Sequence, residues 1–112
     1  MDPGTHDRVF GFVSHLPHIV AYSLVDSILS AEDPDTLFDF AGGGLRDYTR
    51  VAASSPEMWT DIFTANRVSA LKAIRKFRKS LDKIETAIKK RDSGSLKKLL
   101  SKSARAKREG IK

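Results

Sequence analysis

Apolar residues return every three or four positions from Val9 onward, at Val13, Leu16, Val20, Leu24 and Ile28. That is the spacing of one helical face. Phe10, Phe12, Ile19, Tyr22 and Val25 add a second flank, so the helix is apolar nearly all round and must be covered on several sides, either centrally or in a subunit interface. Pro3 can open it with Asp2 as its cap, and AEDPD over 31–35 closes it with a proline among acids. LFDF over 37–40 is too short for more than a helical turn or loop. The glycines 42–44 that follow cannot continue a helix and favour unusual backbone angles. LRDYTRVAA after them has room for about two and a half helical turns.

Ser54, Ser55 and Pro56 read as a stop and then a new start, with a serine cap, proline at the first position and Glu57 in the first turn. One long helix is predicted from there. Met58, Ile62 and Phe63 lead into Ala70, Ile74, Phe77, Leu81, Ile84 and Ile88, which alternate steps of four and three. Such a narrow seam resembles that of a coiled coil. Asp92, Ser93 and Gly94 punctuate, and SLKKLLSKSARAKREG carries a last basic helix with Leu96, Leu99 and Leu100 on its apolar side. No strand pattern and no repeat is present. The predicted fold is all-α, one domain over residues 1–112. It comprises a long, buried, kinked N-terminal helix, a short helix after the glycine-rich turn, a long helix in the second half and a basic final helix, in an intertwined dimer.

Composition narrows the chemistry. The chain has no cysteine, which removes disulfides, thiolate metal sites and thiol catalysis together, and no metal-ligand cluster is expected. No run reaches about 18 apolar residues, so no membrane span is expected. The start MDPGTHDR is unlike a signal peptide, and a cytoplasmic protein is the expectation. Charge is unevenly placed. Residues 1–66 carry three basic and ten acidic side chains, residues 67–112 seventeen basic and four acidic. A basic half of that size could follow a phosphate backbone. With almost no aromatic residues among the charges, it reads instead as the solvated faces of helices.

Two polar constellations break the apolar pattern. Asp7, Gly11, Ser14 and His18 fall at i, i+4, i+7 and i+11 of the first helix, one face carrying a carboxylate, a gap, a hydroxyl and an imidazole. Pro17 lacks an N–H, so the Val13 carbonyl loses its helical donor and a kink is expected there. A polar groove of this kind suits a ligand. It equally suits hydrogen bonds to neighbouring helices, with His15 on a different face. In GGGLRDYTR, Arg46 and Arg50 stand one turn apart behind Gly43 and Gly44. The guanidinium of Arg50 is a planar fork for a carboxylate. The alternative is a flexible turn with an Asp47–Arg50 surface ion pair, which would stabilise little. The residues alone thus lead to a helical dimer with a groove for a small carboxylate.

Three motifs in order, HD(x)6SHLPH, GGG(x)RD(x)TR and SPEMW(x)DIF(x)xN, resemble the C-terminal helical domain of prephenate dehydrogenases, called cyclohexadienyl or arogenate dehydrogenases according to substrate. The resemblance runs from about His6 to about Leu100. It implies a homodimer in which the helical domain completes a substrate site beside a Rossmann-type domain that binds NAD or NADP. The implied reaction is oxidative decarboxylation of prephenate, or its arogenate counterpart, on the route to tyrosine. Tyrosine can act as inhibitor. By this resemblance Arg50 binds a substrate carboxylate, Ser14, His18 and Trp59 line the pocket, and Asp7 and Asp47 orient it.

The nucleotide fingerprint of that family and its catalytic histidine are not in this sequence. The expectation is therefore a dimerisation and substrate-site half that neither binds NAD nor turns over alone. A free-standing helical module that senses tyrosine or a related aromatic acid is the alternative.

Overall fold

The computed structural model describes residues 1–110, which are helical with no strand among them. The chain divides into two compact units, Met1–Ile74 and the segment from Arg75 onward.

The first unit begins with one uninterrupted helical run. Helix α1 spans Pro3–Phe10, a π-helical turn spans Gly11–His15, and α2 spans Leu16–Leu29. Asp2 caps the start as expected, its carboxylate accepting from the Thr5 N–H at 2.9 Å and the Thr5 hydroxyl at 2.8 Å. Those bonds hold the Asp2 carboxyl below its ordinary pKa. The disruption expected at Pro17 takes the form of the wide turn just before it, where the Leu16 N–H reaches back five residues to the Gly11 carbonyl. A π turn lets a helix run on past a residue that cannot donate. A π turn also rotates less per residue than an α turn, so uniform spacing does not carry across it, and it is His15 that meets the Asn66 amide beside the Asp7 carbonyl.

Helix α3 (Pro34–Asp39) follows Asp33, whose φ of 54° is left-handed. Helix α4 (Gly43–Thr49) continues into a 3₁₀ turn, Arg50–Ala53. The glycines differ from expectation. Gly42 is the extended N-cap of α4, Gly43 and Gly44 form its first turn, and no described glycine has positive φ. Helices α3 and α4 and the 3₁₀ turn pack along α2, and the Tyr22 hydroxyl donates to the Ser54 carbonyl at 3.0 Å.

The predicted long helix is in fact two. Helix α5 (Pro56–Ala65), capped by Ser55 through the Met58 N–H at 3.2 Å, stops at Asn66, and α6 spans Arg67–Lys89. Asn66 has φ −104° and ψ 38°, outside the helical region. Its side chain is bonded elsewhere in the fold, which outweighs the helical propensity on both sides.

The second unit holds the rest of α6 and helix α7 (Ser93–Glu109). Arg91 turns the chain with φ 54°, the Asp92 N–H donating to the Ala87 carbonyl at 2.9 Å, a left-handed helix ending. Asp92 then caps α7 through the Ser95 hydroxyl at 2.7 Å and N–H at 3.0 Å, and these bonds lower its carboxyl pKa.

Burial is the unusual feature. The buried apolar residues are Ala21, Trp59, Ala70, Ala73 and Ala87. Phe12, Val13, Phe77, Leu81 and Ile88 remain exposed, Leu81 by 53% and Ile88 by 60%. A single chain therefore closes no core of large side chains, and the seam predicted on α6 is covered at Ala70, half-buried at Ile74 and Ile84, and exposed at Phe77, Leu81 and Ile88. Apolar exposure on this scale marks an interaction surface. The run Pro3–Leu29, 27 residues long, is also apolar enough by length and composition to cross a membrane. Counting consecutive apolar residues does not show this, because short polar interruptions leave the mean hydropathy high.

Candidate functional site

Among the described residues Trp59 is the only large side chain that is buried and apolar, and it is the centre of the site. Helix α5 presents it toward the π turn and the start of α2. The His18 ring stacks on the indole with centroids 3.7 Å apart and planes at 21°. His15 meets it edge-on at 6.1 Å and 77°, and Phe63 lies tilted at 5.4 Å. The two histidines, three residues apart, thus flank one tryptophan, whereas His15 is expected from the sequence on a separate face.

Each ring is held by a backbone or amide partner. The Nδ1 of His18 lies 2.9 Å from the Ser14 carbonyl. A carbonyl only accepts, so Nδ1 carries the proton and Nε2 is left free to bond elsewhere. The Asn66 amide nitrogen is 3.0 Å from His15 Nδ1 and 3.0 Å from the Asp7 carbonyl. Burial, then the nearby His18, hold the His15 pKa below its ordinary value, while Asp7 opposes them.

Gly11 lets the helices approach. A Cβ there would stand 3.2 Å from the Ser69 Cβ and 3.3 Å from its carbonyl oxygen. Beyond Trp59, an open groove of about 480 Å³ runs between α2, α5 and the start of α6. Ile19, Tyr22, Trp59, Phe63 and Ile74 make it apolar, and Arg67 supplies a cation.

The residues proposed from sequence separate into groups. His18 and Trp59 come together, and Ser14 joins them through its carbonyl. Trp59 alone among them lines the groove. Arg50 is exposed at the junction of α4 and the 3₁₀ turn and makes no ion pair or side-chain hydrogen bond among the described residues. The expected alternative of an Asp47–Arg50 ion pair does not form, and Asp47 is exposed. Arg46 instead bonds the Ala41 carbonyl at 3.2 Å. The Asp7 carboxylate lies at the surface, 3.5 Å from His6, and only its backbone reaches the site. Gly43 and Gly44 have open space where a Cβ would be, so no close approach requires glycine there. Asn66, which carries no role in the sequence reading, is the residue that reasoning missed. Its one signal is that a helix-breaking amide closes the motif SPEMWTDIFTAN.

Residues 2–102 match the family model described as prephenate dehydrogenase, dimerization domain. The chain belongs to this dimerization-domain family. Prephenate dehydrogenase of Bacillus subtilis (strain 168) is 40% identical over 112 residues, covering 99% of this chain and 30% of the relative. Among solved structures, prephenate dehydrogenase from Aquifex aeolicus, in complex with hydroxyphenyl propionate and NAD+, is 44% identical with a TM-score of 0.89 over 100% of this chain and 39% of that one. The Synechocystis arogenate dehydrogenase is 29% identical with the same TM-score, covering 97% of this chain and 40% of that one. The chain spans about a third of the length of the curated relatives it matches. The match to the dimerization domain takes in the polar stripe of the first helix, Arg50, Trp59 and the apolar seam of α6.

Proposed function

We propose that this chain is the dimerisation and substrate-site half of a cytoplasmic, homodimeric prephenate or arogenate dehydrogenase, an enzyme of tyrosine synthesis. The observation that carries the reading is the His18–Trp59 stack. In a domain of this family it joins the polar stripe of one helix to the aromatic of another and leaves His18 Nε2 available. A planar, hydroxylated ring with a carboxylate side chain, like the hydroxyphenyl propionate in the Aquifex aeolicus complex, suits such a wall.

Each residue then has a task of its own. Arg50, with no side-chain partner among the described residues, takes the substrate carboxylate in a bidentate pair. Trp59 supplies an aromatic wall, and His18 offers Nε2 to a polar group of the substrate. The Ser14 carbonyl fixes the His18 tautomer. Asp7 and Asp47 shape the field around Arg50 and the histidines.

NAD or NADP supplies the hydride acceptor when bound. Its pyrophosphate calls for a glycine-rich turn between a strand and a helix, and the described residues hold no strand. No residue of this chain is therefore assigned to the dinucleotide. The exposed seam residues Phe77, Leu81 and Ile88 and the flanks of α1 and α2 have a second copy as their partner, rather than lipid. Tyrosine, which shares the ring and carboxylate of the product, is the inhibitor this pocket suits.

A chimera in which this chain replaces the matching segment of the Bacillus subtilis relative tests the reading. It is expected to oxidise prephenate with NAD. Arg50→Ala in it should raise KM with a smaller change in kcat, by a few kcal/mol of binding energy, on the order of a desolvated charged hydrogen bond. An unchanged KM would remove Arg50 from the substrate site.

A further inference from the structure

We infer that Asn66 is a positioning residue for the substrate wall: with the two N–H groups of one amide it fixes His15 as its Nε2–H tautomer and clamps the π turn against the Trp59–His18 stack. The inference rests on reading Trp59 and His18 as pocket residues.

The chemistry leaves one assignment. The Asp7 carbonyl can only accept, so the atom of Asn66 facing it at 3.0 Å must be the amide nitrogen. That nitrogen has a second hydrogen, and it stands 3.0 Å from His15 Nδ1. Because the amide nitrogen only donates, Nδ1 must accept. The proton of neutral His15 is then on Nε2. The low pKa of His15, caused first by burial and next by the charge of His18, agrees with a ring whose neutral form is the bonded one.

The geometry gives this small link a long reach. Its partners lie 59 and 51 residues upstream in the chain, so one amide joins α1, the π turn and the α5–α6 joint. The same residue departs from helical geometry at that joint while its N–H closes α5 on the Ile62 carbonyl at 3.0 Å. Trp59 is carried on α5, and His15 and His18 on the opposite side of the link. The angle at Asn66 therefore sets how the indole meets both imidazoles. A continuous helix would give up this side-chain geometry for one more regular turn.

The test uses nitrogen NMR of the histidine rings in this chain, with the position of the His18 ring protons over the indole as a second readout. Wild-type His15 should show an unprotonated Nδ1 and a protonated Nε2, and His18 the reverse. Asn66→Ala should release the His15 tautomer and shift the His18 ring protons. Asn66→Asp puts a carboxylate where the donor was, so it should draw the proton to His15 Nδ1 and raise its titration. In the chimera, Asn66→Ala should raise KM for prephenate on the order of tenfold through a misplaced wall.

A wild-type His15 protonated on Nδ1 overturns the inference without any variant. So do folded Asn66→Ala and Asn66→Asp proteins that leave both rings unchanged. A chimera that never turns over counts against the enzyme reading, while the ring signatures still decide the role of Asn66.

Discussion

His18 lies flat on Trp59, ring centroids 3.7 Å apart at 21°, and this pair joins the start of α2 to α5. Trp59 is 8% exposed although hardly any other large side chain in the chain is buried. The imidazole is one of the few groups available to cover it.

His18→Ala should therefore uncover the indole. Trp59 is the only tryptophan, so its emission reports the change without ambiguity and should move to longer wavelength. The lost ring pair should cost about 1 kcal/mol of stability, read from urea unfolding. An unchanged emission maximum would mean the stack does not shield the indole.

His15 gives the protein a pH dependence of definite sign. Its folded pKa lies below the ordinary value of 6.5, so between the two values the unfolded chain binds more protons. Stability is complete above about pH 6.5 and falls as pH drops toward the folded pKa. At fixed protein concentration, the denaturation midpoint should be lower at pH 5 than at pH 7.5. His15→Gln should flatten that difference. A midpoint that rises on acidification would contradict the sign.

Gly11 is needed for the approach of the π turn to α6, where an added Cβ meets Ser69 at 3.2 Å. Gly11→Leu should destabilise by about 1–3 kcal/mol, as overpacking does, measured as a lowered Tm. Gly11→Ala sets a tight contact against better helix propensity and should change Tm far less. Equal losses in the two variants would show that side-chain size is not what matters there.

Leu81 is 53% exposed in the single chain, so replacing it should matter little unless another copy covers it. Leu81→Glu should shift sedimentation at micromolar concentration from dimer toward monomer while the helical circular dichroism persists. A dimer that survives the change would place the interface away from this seam.

Much of the local architecture was legible in the residues, because its causes are local. The starts of α1, α5 and α7 are decided by Asp2, Ser55 and Asp92, each bonding a backbone N–H three residues on. The all-α class followed from apolar spacing; the polar stripe marked out His18 and the family resemblance marked out Trp59, but their stacking across two helices was not legible. The apolar seam of α6 was legible too, but whether it faces inward or outward is not a property of its spacing.

Tertiary contacts decided the rest. The break at Asn66 overrides good helix formers on both sides because its amide is used by Asp7 and His15, 59 and 51 residues away. The π turn changes the helical phase between Asp7 and His18, which no uniform 3.6-residue reading contains. The freedom of Arg50 likewise depends on where Asp47 points in the folded chain. Periodicity and capping by themselves determined the all-α class and the starts of α1 and α5, but not the short helix α3, the start of α4 within the glycines or the start of α6 after Asn66. Which side chains meet depended on distant parts of the chain arriving together, since a hydrogen bond made across more than fifty residues leaves no local pattern.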